Sequence, residues 1–187
     1  MSLSLDGASD AELVALARGG QQSAFRALTE RHRDAVYRLA RGAVGDADEA
    51  FDVTQEAFIS AFGALGRYDT SRPFRAWIAR ITLNKARDAL RRRTVRRLFS
   101  FALPEHGPEP VDPTVAADIA VADRQEWARA QTAIATLPSR LKEVLLLRTI
   151  QEMSQADVAA ALGISEKAVE TRLYRARRTL SSALENN

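Results

Sequence analysis

Residues 154–180 read SQADVAAALGISEKAVETRLYRARRTL, two helical patterns hinged on one glycine. Ser154 has the chemistry of an N-cap, with Asp157 three residues on, and Val158, Ala159 and Leu162 form the inward face of the helix that follows. Gly163, Ile164 and Ser165 make the turn. Ser165 then caps a second helix whose buried face carries Val169, Leu173, Ala176 and Leu180 at three- and four-residue spacing. A small residue at 159 lets the helices approach, glycine supplies the bend, and Ile164 fills the angle between them, which is a helix-turn-helix. Its second helix is of a kind that enters a DNA major groove, presenting Glu166, Lys167, Glu170, Thr171 and Arg175 to base edges or phosphates, with Arg172, Arg177 and Arg178 turned to phosphates or solvent. A plain helical hairpin packed in a larger bundle is the alternative reading of the same pattern.

Working outward, helical periodicity dominates the remaining sequence and no two-residue alternation appears, so the chain is expected to be all-α. Asp10 is the expected cap of a first short helix ending at Gly19-Gly20. A second carries Phe25, Leu28, His32, Val36, Leu39 and Ala43, and a third, starting at Asp46 or Asp48, carries Phe51, Thr54, Phe58, Ala61, Phe62 and Leu65. His32 lies on an apolar stripe and is read as a core or boundary histidine; Gly42 and Gly45 are read as ordinary spacers. Residues 66–73 form a loop, and Pro73 suits the start of a fourth helix running from Phe74 to about Arg93. Four of the six prolines fall between Leu98 and Ala122, a stretch with acids and no amphipathic period. The expected organisation is therefore two small helical domains, residues 1–97 and 123–187, joined by a flexible acidic linker, 98–122. Asp123 is read as the cap of a helix bearing Trp127, Ala130 and Ile134, and Leu137-Pro138-Ser139 starts another.

The 187 residues carry 27 basic and 24 acidic side chains, and the resulting +3 hides blocks of opposite sign. Residues 1–66 sum to −4, 67–100 to +9 with 11 basic groups, 101–139 to −4, and 140–187 to +2. The basic residues are 24 Arg against 3 Lys. Arginine suits bidentate phosphate and guanine contacts; a genome that encodes Arg for Lys throughout gives the same excess, but not the cluster. With no cysteine and only His32 and His106, disulfides, thiol nucleophiles and the usual metal centres lack their ligands, and neither a metal nor a cofactor is expected. Paired carboxylates and phosphate loops are absent as well, so an enzyme is the least favoured class. No apolar run reaches membrane-spanning length, and MSLSLDGASDAELV lacks a basic n-region, so a cytoplasmic protein is expected.

The +9 block is ordered. At 100° per residue along the fourth helix, Phe74, Trp77, Ile78, Ile81 and Ala89 share an arc of about 120°, and Arg80, Asn84, Arg87 and Arg91 form a polar stripe beside it, about 60° wide. The stripe continues into Arg91-Arg92-Arg93 and Arg96-Arg97 almost without acids. That favours a surface tracking a DNA backbone over a merely solvated face.

Taken in order, these fragments resemble the extracytoplasmic-function (ECF) sigma factors of bacterial RNA polymerase over nearly the whole chain. Residues 48–58, DEAFDVTQEAF, are similar to the family's region 2.2; 72–84, RPFRAWIARITLN, to regions 2.3 and 2.4; and Leu137-Pro138, Leu145 to Arg148, Gly163 to Ser165 and Arg172 to Arg177 to region 4. The resemblance implies that Asp52, Gln55, Glu56 and Phe58 dock on the β′ clamp helices of core RNA polymerase, with the β subunit as a further contact, Phe58 being the exposed aromatic of that face. It implies that Tyr68, Asp69, Arg80, Asn84, Arg87 and Arg91 read the promoter's minus-ten element and a flipped base, and that Ser165, Glu166, Lys167, Glu170, Thr171, Arg172 and Arg175 read the minus-35 element. Tyr68 is equally readable as half-buried packing. The linker would thread towards the polymerase cleft, and an anti-sigma factor is an expected partner. Many relatives have a basic residue or threonine where this chain has Glu170 and Ala168, so their minus-35 preference does not carry over. Two other readings use the same motifs: a sigma-like decoy that binds an anti-sigma factor without reading promoters, and a stand-alone helix-turn-helix regulator.

Overall fold

The computed structural model describes residue 5, residues 7–100, residue 130 and residues 132–185. Its helices are α1 (Asp10–Arg18), α2 (Gln22–Val44), α3 (Ala47–Gly63), α4 (Phe74–Ser100), α5 (Ser139–Thr149), α6 (Gln155–Leu162) and α7 (Glu166–Glu185), with a 3₁₀ turn at Leu65–Arg67. Residues 132–136 are helical too, and no strand occurs among the described residues.

Local chemistry explains the boundaries. Ser9, not Asp10, caps α1: its hydroxyl accepts from the Glu12 amide at 3.3 Å while the Glu12 carboxylate accepts from the Ser9 amide at 2.7 Å, a closed capping box. Asp10 is thereby free to bridge to α2, where its carboxylate meets Arg31 Nη1 and His32 Nε2, both at 2.8 Å. Gly45 ends α2 in the left-handed region at φ 83°, and Asp46 caps α3. Helix α4 runs to Ser100, beyond the expected stop near Arg93, and takes in Leu98 and Phe99 from the expected linker. Between Arg91 and Phe99 there is no glycine or proline to end it. Residues 101–122 of the expected linker, and the expected helix start from Asp123 through Trp127, lie outside the described residues.

One cluster joins α1, α2, α3, the 3₁₀ turn and the start of α4 through Leu13, Leu28, Val36, Phe58, Leu65 and Phe74. His32 belongs at its edge, 7% exposed, its ring 5.1 Å from that of Phe74. A second cluster crosses the expected domain division: Leu39, Ala43, Val53, Leu83 and Ala86 pack with Val144, Leu146, Leu147, Val158 and Val169. The two helical modules are thus present but directly docked, which the expected tether alone did not convey. Leu146 and Leu147 are almost wholly buried there, a contribution of about 1.5–3 kcal/mol each. Gly42 is no ordinary spacer. A Cβ at that position would lie 2.7 Å from a Leu146 methyl, so the missing side chain is what lets α5 seat on α2.

Candidate nucleic-acid and polymerase interfaces

The alternation of buried and exposed residues along α4 sets up the first surface. Phe74, Ile78, Ala79, Leu83, Ala86 and Ala89 are buried, which leaves Arg80, Asn84, Arg87 and Arg91 exposed in one row. Arg87 Nη1 donates to Asn84 Oδ1 at 2.7 Å, while its Nε and Nη2 donate to the two Glu143 oxygens at 2.5 and 2.7 Å. That bidentate carboxylate holds the guanidinium protonated above its ordinary range. Among the described residues Arg80 has no such carboxylate, and Arg91 pairs loosely with Asp88 at 3.7 Å.

The loop before α4 is built from inside. Tyr68 is 5% exposed, its ring 4.8 Å from Trp77 and 5.7 Å from Phe74, its hydroxyl donating to the Arg72 carbonyl. Arg18 donates to the Leu65 carbonyl at 3.0 Å and to the Tyr68 carbonyl. Burial, ahead of the nearby Asp10 and Asp69 charges, pushes the phenol up and keeps it a neutral donor. The expected stacking wall is therefore a core residue: a ring with aromatic partners on its flanks and a satisfied hydroxyl has no open face to offer a base. Asp69 remains at the surface, but Ser71 donates to it from its hydroxyl at 2.7 Å and its amide at 3.0 Å, bonds that lower its carboxyl and shape the loop.

On α3 the expected polymerase residues separate. Asp52 and Gln55 are exposed. Glu56 is drawn to α4, 3.2 Å from Arg92 and 3.8 Å from Lys85. Phe58, expected at the surface, is 7% exposed and packs beside Phe62 with ring centroids 5.8 Å apart. Phe51, expected on the buried stripe, is 57% exposed, and Ile59 is 71% exposed. The 3.6 period carries the reason: Phe51, Gln55, Ile59 and Asp52 fall within roughly 100° of one another, opposite Val53, Ala57 and Ala61. Laying α3 out by angle would have found Phe51 and Ile59.

The helix-turn-helix is complete. Ser154 accepts from the Asp157 amide at 3.1 Å, Gly163 holds φ 65°, and Ser165 accepts from the Ala168 amide at 3.2 Å. Ser165, Glu166, Lys167, Glu170 and Arg175 are exposed, with Thr171 and Arg172 half-buried. Glu170 is paired with Lys167 at 2.9 Å, which offsets its repulsion of phosphate, and the Thr171 hydroxyl donates to the Lys167 carbonyl at 2.8 Å. Tyr174, 66% exposed on the same helix, adds an aromatic that the sequence reading did not single out. Among the described residues no three His, Asp or Glu side chains gather as a metal site, and no helix is long and apolar enough to cross a membrane.

The family descriptions Sigma-70 region 2 and Sigma-70, region 4 match residues 28–96 and 127–180. The RNA polymerase sigma factor CnrH of Cupriavidus metallidurans is 41% identical over 181 residues, 94% of each chain. The chain belongs to the sigma-70 family. Within it the similarity includes the ECF RNA polymerase sigma factor SigM of Mycobacterium tuberculosis, 34% identical over 94% of this chain and 85% of that one. The solved structure of CnrH in complex with the cytosolic domain of CnrY aligns over 95% of this chain and 98% of that one, with TM-score 0.72 and 36% identity. The sigma factor RpoE of Bartonella quintana, in complex with the anti-sigma factor NepR, shares the fold at TM-score 0.69 and 20% identity. The chain is therefore an ECF-type sigma factor, an initiation factor of transcription. The sigma region 2 match spans the α4 row, and the region 4 match spans the helix-turn-helix.

Proposed function

We propose that this sigma factor mounts on core RNA polymerase through the exposed α3 face and reads two promoter elements with two separate surfaces. Asp52 and Gln55, joined by the apolar Phe51 and Ile59, supply a rimmed hydrophobic patch for the β′ clamp helices. The row Arg80, Asn84, Arg87 and Arg91, with Asp69 beside it, serves the opened minus-ten strand, whose phosphates need cations and whose bases need amide and carboxylate partners. Tyr68, Phe58 and Glu56 serve these surfaces from behind, by packing or by ion pairing. The exposed face of α7 reads the minus-35 duplex through Glu166, Lys167, Glu170 and Arg175, with Ser165 and Thr171 shaping the helix and Arg172 at its edge.

The observation that carries this reading is the pairing, in one chain, of an exposed cationic row on α4 with a complete helix-turn-helix. Two weak DNA-reading modules gain affinity by effective concentration once both are mounted on the polymerase. A decoy would need neither surface. Two domains, 1–97 and 123–187, connected through 98–122, fit this mode of action, and the protein acts in the cytoplasm with the polymerase. An anti-sigma factor is its expected regulator; the similar CnrH was solved in complex with the cytosolic domain of CnrY. The double substitution Asp52→Ala and Gln55→Ala separates the readings. It should weaken core polymerase binding about a hundredfold while leaving affinity for duplex DNA unchanged; loss of DNA binding with core binding intact would instead favour a stand-alone regulator.

A further inference from the structure

Between Glu166 and Arg178 the recognition helix α7 carries five basic side chains and two acidic ones. Of the acids, Glu170 stands on the face that the proposed function turns to DNA, where a lone carboxylate would be repelled by phosphate. It has a companion: Lys167, one turn earlier, donates from Nζ to Glu170 Oε2 at 2.9 Å, and both side chains are well exposed. A surface pair of this kind adds little to stability, so its bonds are readily exchanged for others. The neighbouring Thr171 hydroxyl gives its proton to the Lys167 carbonyl at 2.8 Å and does not compete for the carboxylate.

The frame beneath the pair fixes where it points. Val169 and Ala176 are fully buried, and Ser165 caps the helix by accepting from the Ala168 amide at 3.2 Å. At 100° per residue, burying Val169 turns Lys167 about 160° and Glu170 about 100° away from the core. Both lie within the first two turns, the part of a recognition helix that reaches base edges.

Side by side, the pair offers an acceptor and a donor. Its bond uses one ammonium proton and one carboxylate oxygen, which leaves two protons and Oε1 available. The major-groove edge of a C·G pair is the complement: cytosine N4 has a second proton to give, and guanine O6 and N7 accept beside it. N4 and O6 are hydrogen-bonded to each other at about 2.9 Å, the spacing of Nζ and Oε2. An A·T pair also sets a donor beside an acceptor. There, however, the ammonium would meet the thymine methyl next to O4 instead of the second acceptor that guanine provides.

We propose that Lys167 and Glu170 act as one unit that reads a single C·G pair in the minus-35 element, Glu170 accepting from cytosine N4 and Lys167 donating to guanine O6 and N7. The proposal rests on the assignment of α7 to the minus-35 duplex. Glu170 determines the specificity, and Lys167 also offsets the charge that would otherwise keep a carboxylate out of a phosphate-lined groove. Discrimination at that position should reach about 5- to 150-fold, the range for one mismatched base pair.

The test uses full-length chain with core polymerase on a genomic fragment library, with start sites sequenced and upstream regions aligned. Wild type is compared with Glu170→Gln, Glu170→Ala and Lys167→Met, all at exposed positions and each checked for helical content by circular dichroism. Wild-type starts should share a C·G pair at one minus-35 position. Glu170→Gln should move that position alone towards A·T, because an amide bonds adenine N6 and N7, with at least a fivefold change in relative use. Glu170→Ala should lose the preference without gaining another, and Lys167→Met should flatten the same position while lowering use of the whole element. A minus-35 element with no C·G position, or one left unchanged in Glu170→Gln and Glu170→Ala, overturns the proposal. So does a loss spread evenly over every position, which would make Glu170 a matter of phosphate repulsion only. A wild-type protein that yields no discrete starts overturns the functional reading itself, a failure visible before any variant is compared.

Discussion

Tyr68 offers the sharpest prediction about stability, because a base-stacking residue and a core residue respond oppositely to truncation. Tyr68→Ala removes a ring that is 5% exposed and lies against Phe74 and Trp77. Truncating a buried aromatic costs about 3–5 kcal/mol, and the two aromatic neighbours account for about 0.5–1.5 kcal/mol of that each. Tyr68→Phe keeps the ring and loses only the hydroxyl that donates to the Arg72 carbonyl, about 0.5–1.5 kcal/mol. Set against a total stability of about 5–15 kcal/mol, the first change is severe and the second modest. Urea unfolding followed by far-ultraviolet circular dichroism measures both, with unchanged slopes showing that stability rather than compactness has altered. Tyr68→Ala below about 1 kcal/mol, with DNA binding lost, would refute the burial argument and return the ring to the promoter.

Asp10 has its carboxyl lowered chiefly by its hydrogen bond to His32 and then by Arg31. A depressed carboxyl contributes stability above its unfolded value that is lost as pH falls through the folded one, so Asp10→Asn should cost about 0.5–1 kcal/mol at pH 7 and flatten the acid limb of the stability curve below about pH 4. Gly163→Ala meets no atom within 4 Å but must hold φ 65°, so denaturation should register a loss of about 1–2 kcal/mol from backbone strain alone. Phe51→Ala with Ile59→Ala should change unfolding free energy by less than about 0.5 kcal/mol each yet weaken core polymerase binding tenfold or more in a pull-down titration.

Much of this architecture was legible because helices announce themselves by period. The helix-turn-helix needed only Ser154, Gly163, Ser165 and the spacing of Val169, Leu173 and Ala176, and each behaves as read. The α4 row was equally plain, since Arg80, Asn84, Arg87 and Arg91 share one arc. What escaped depends on contacts between elements distant in sequence. Nothing near Gly42 says that Leu146, more than a hundred residues later, will rest on it. Glu143 on α5 and Gln151 in the bend after it read as surface residues and are buried against α4 and α2, where they bond Arg87 and the Ala35 carbonyl. Phe51 and Phe58 lie a heptad apart on α3, and which of the two is covered is decided by the neighbouring helices. Asp10 lost its expected capping role to Ser9 because the hydroxyl one residue earlier completed a box with Glu12.

The central claim, that this chain directs core polymerase to promoters through two surfaces, is tested most directly by in vitro transcription on a genomic library with start sites sequenced. Discrete starts sharing two upstream elements at a fixed spacing are expected, abolished by Arg80→Ala with Arg87→Ala. Transcripts that begin at random, or an unchanged set of starts in that double variant, would contradict it.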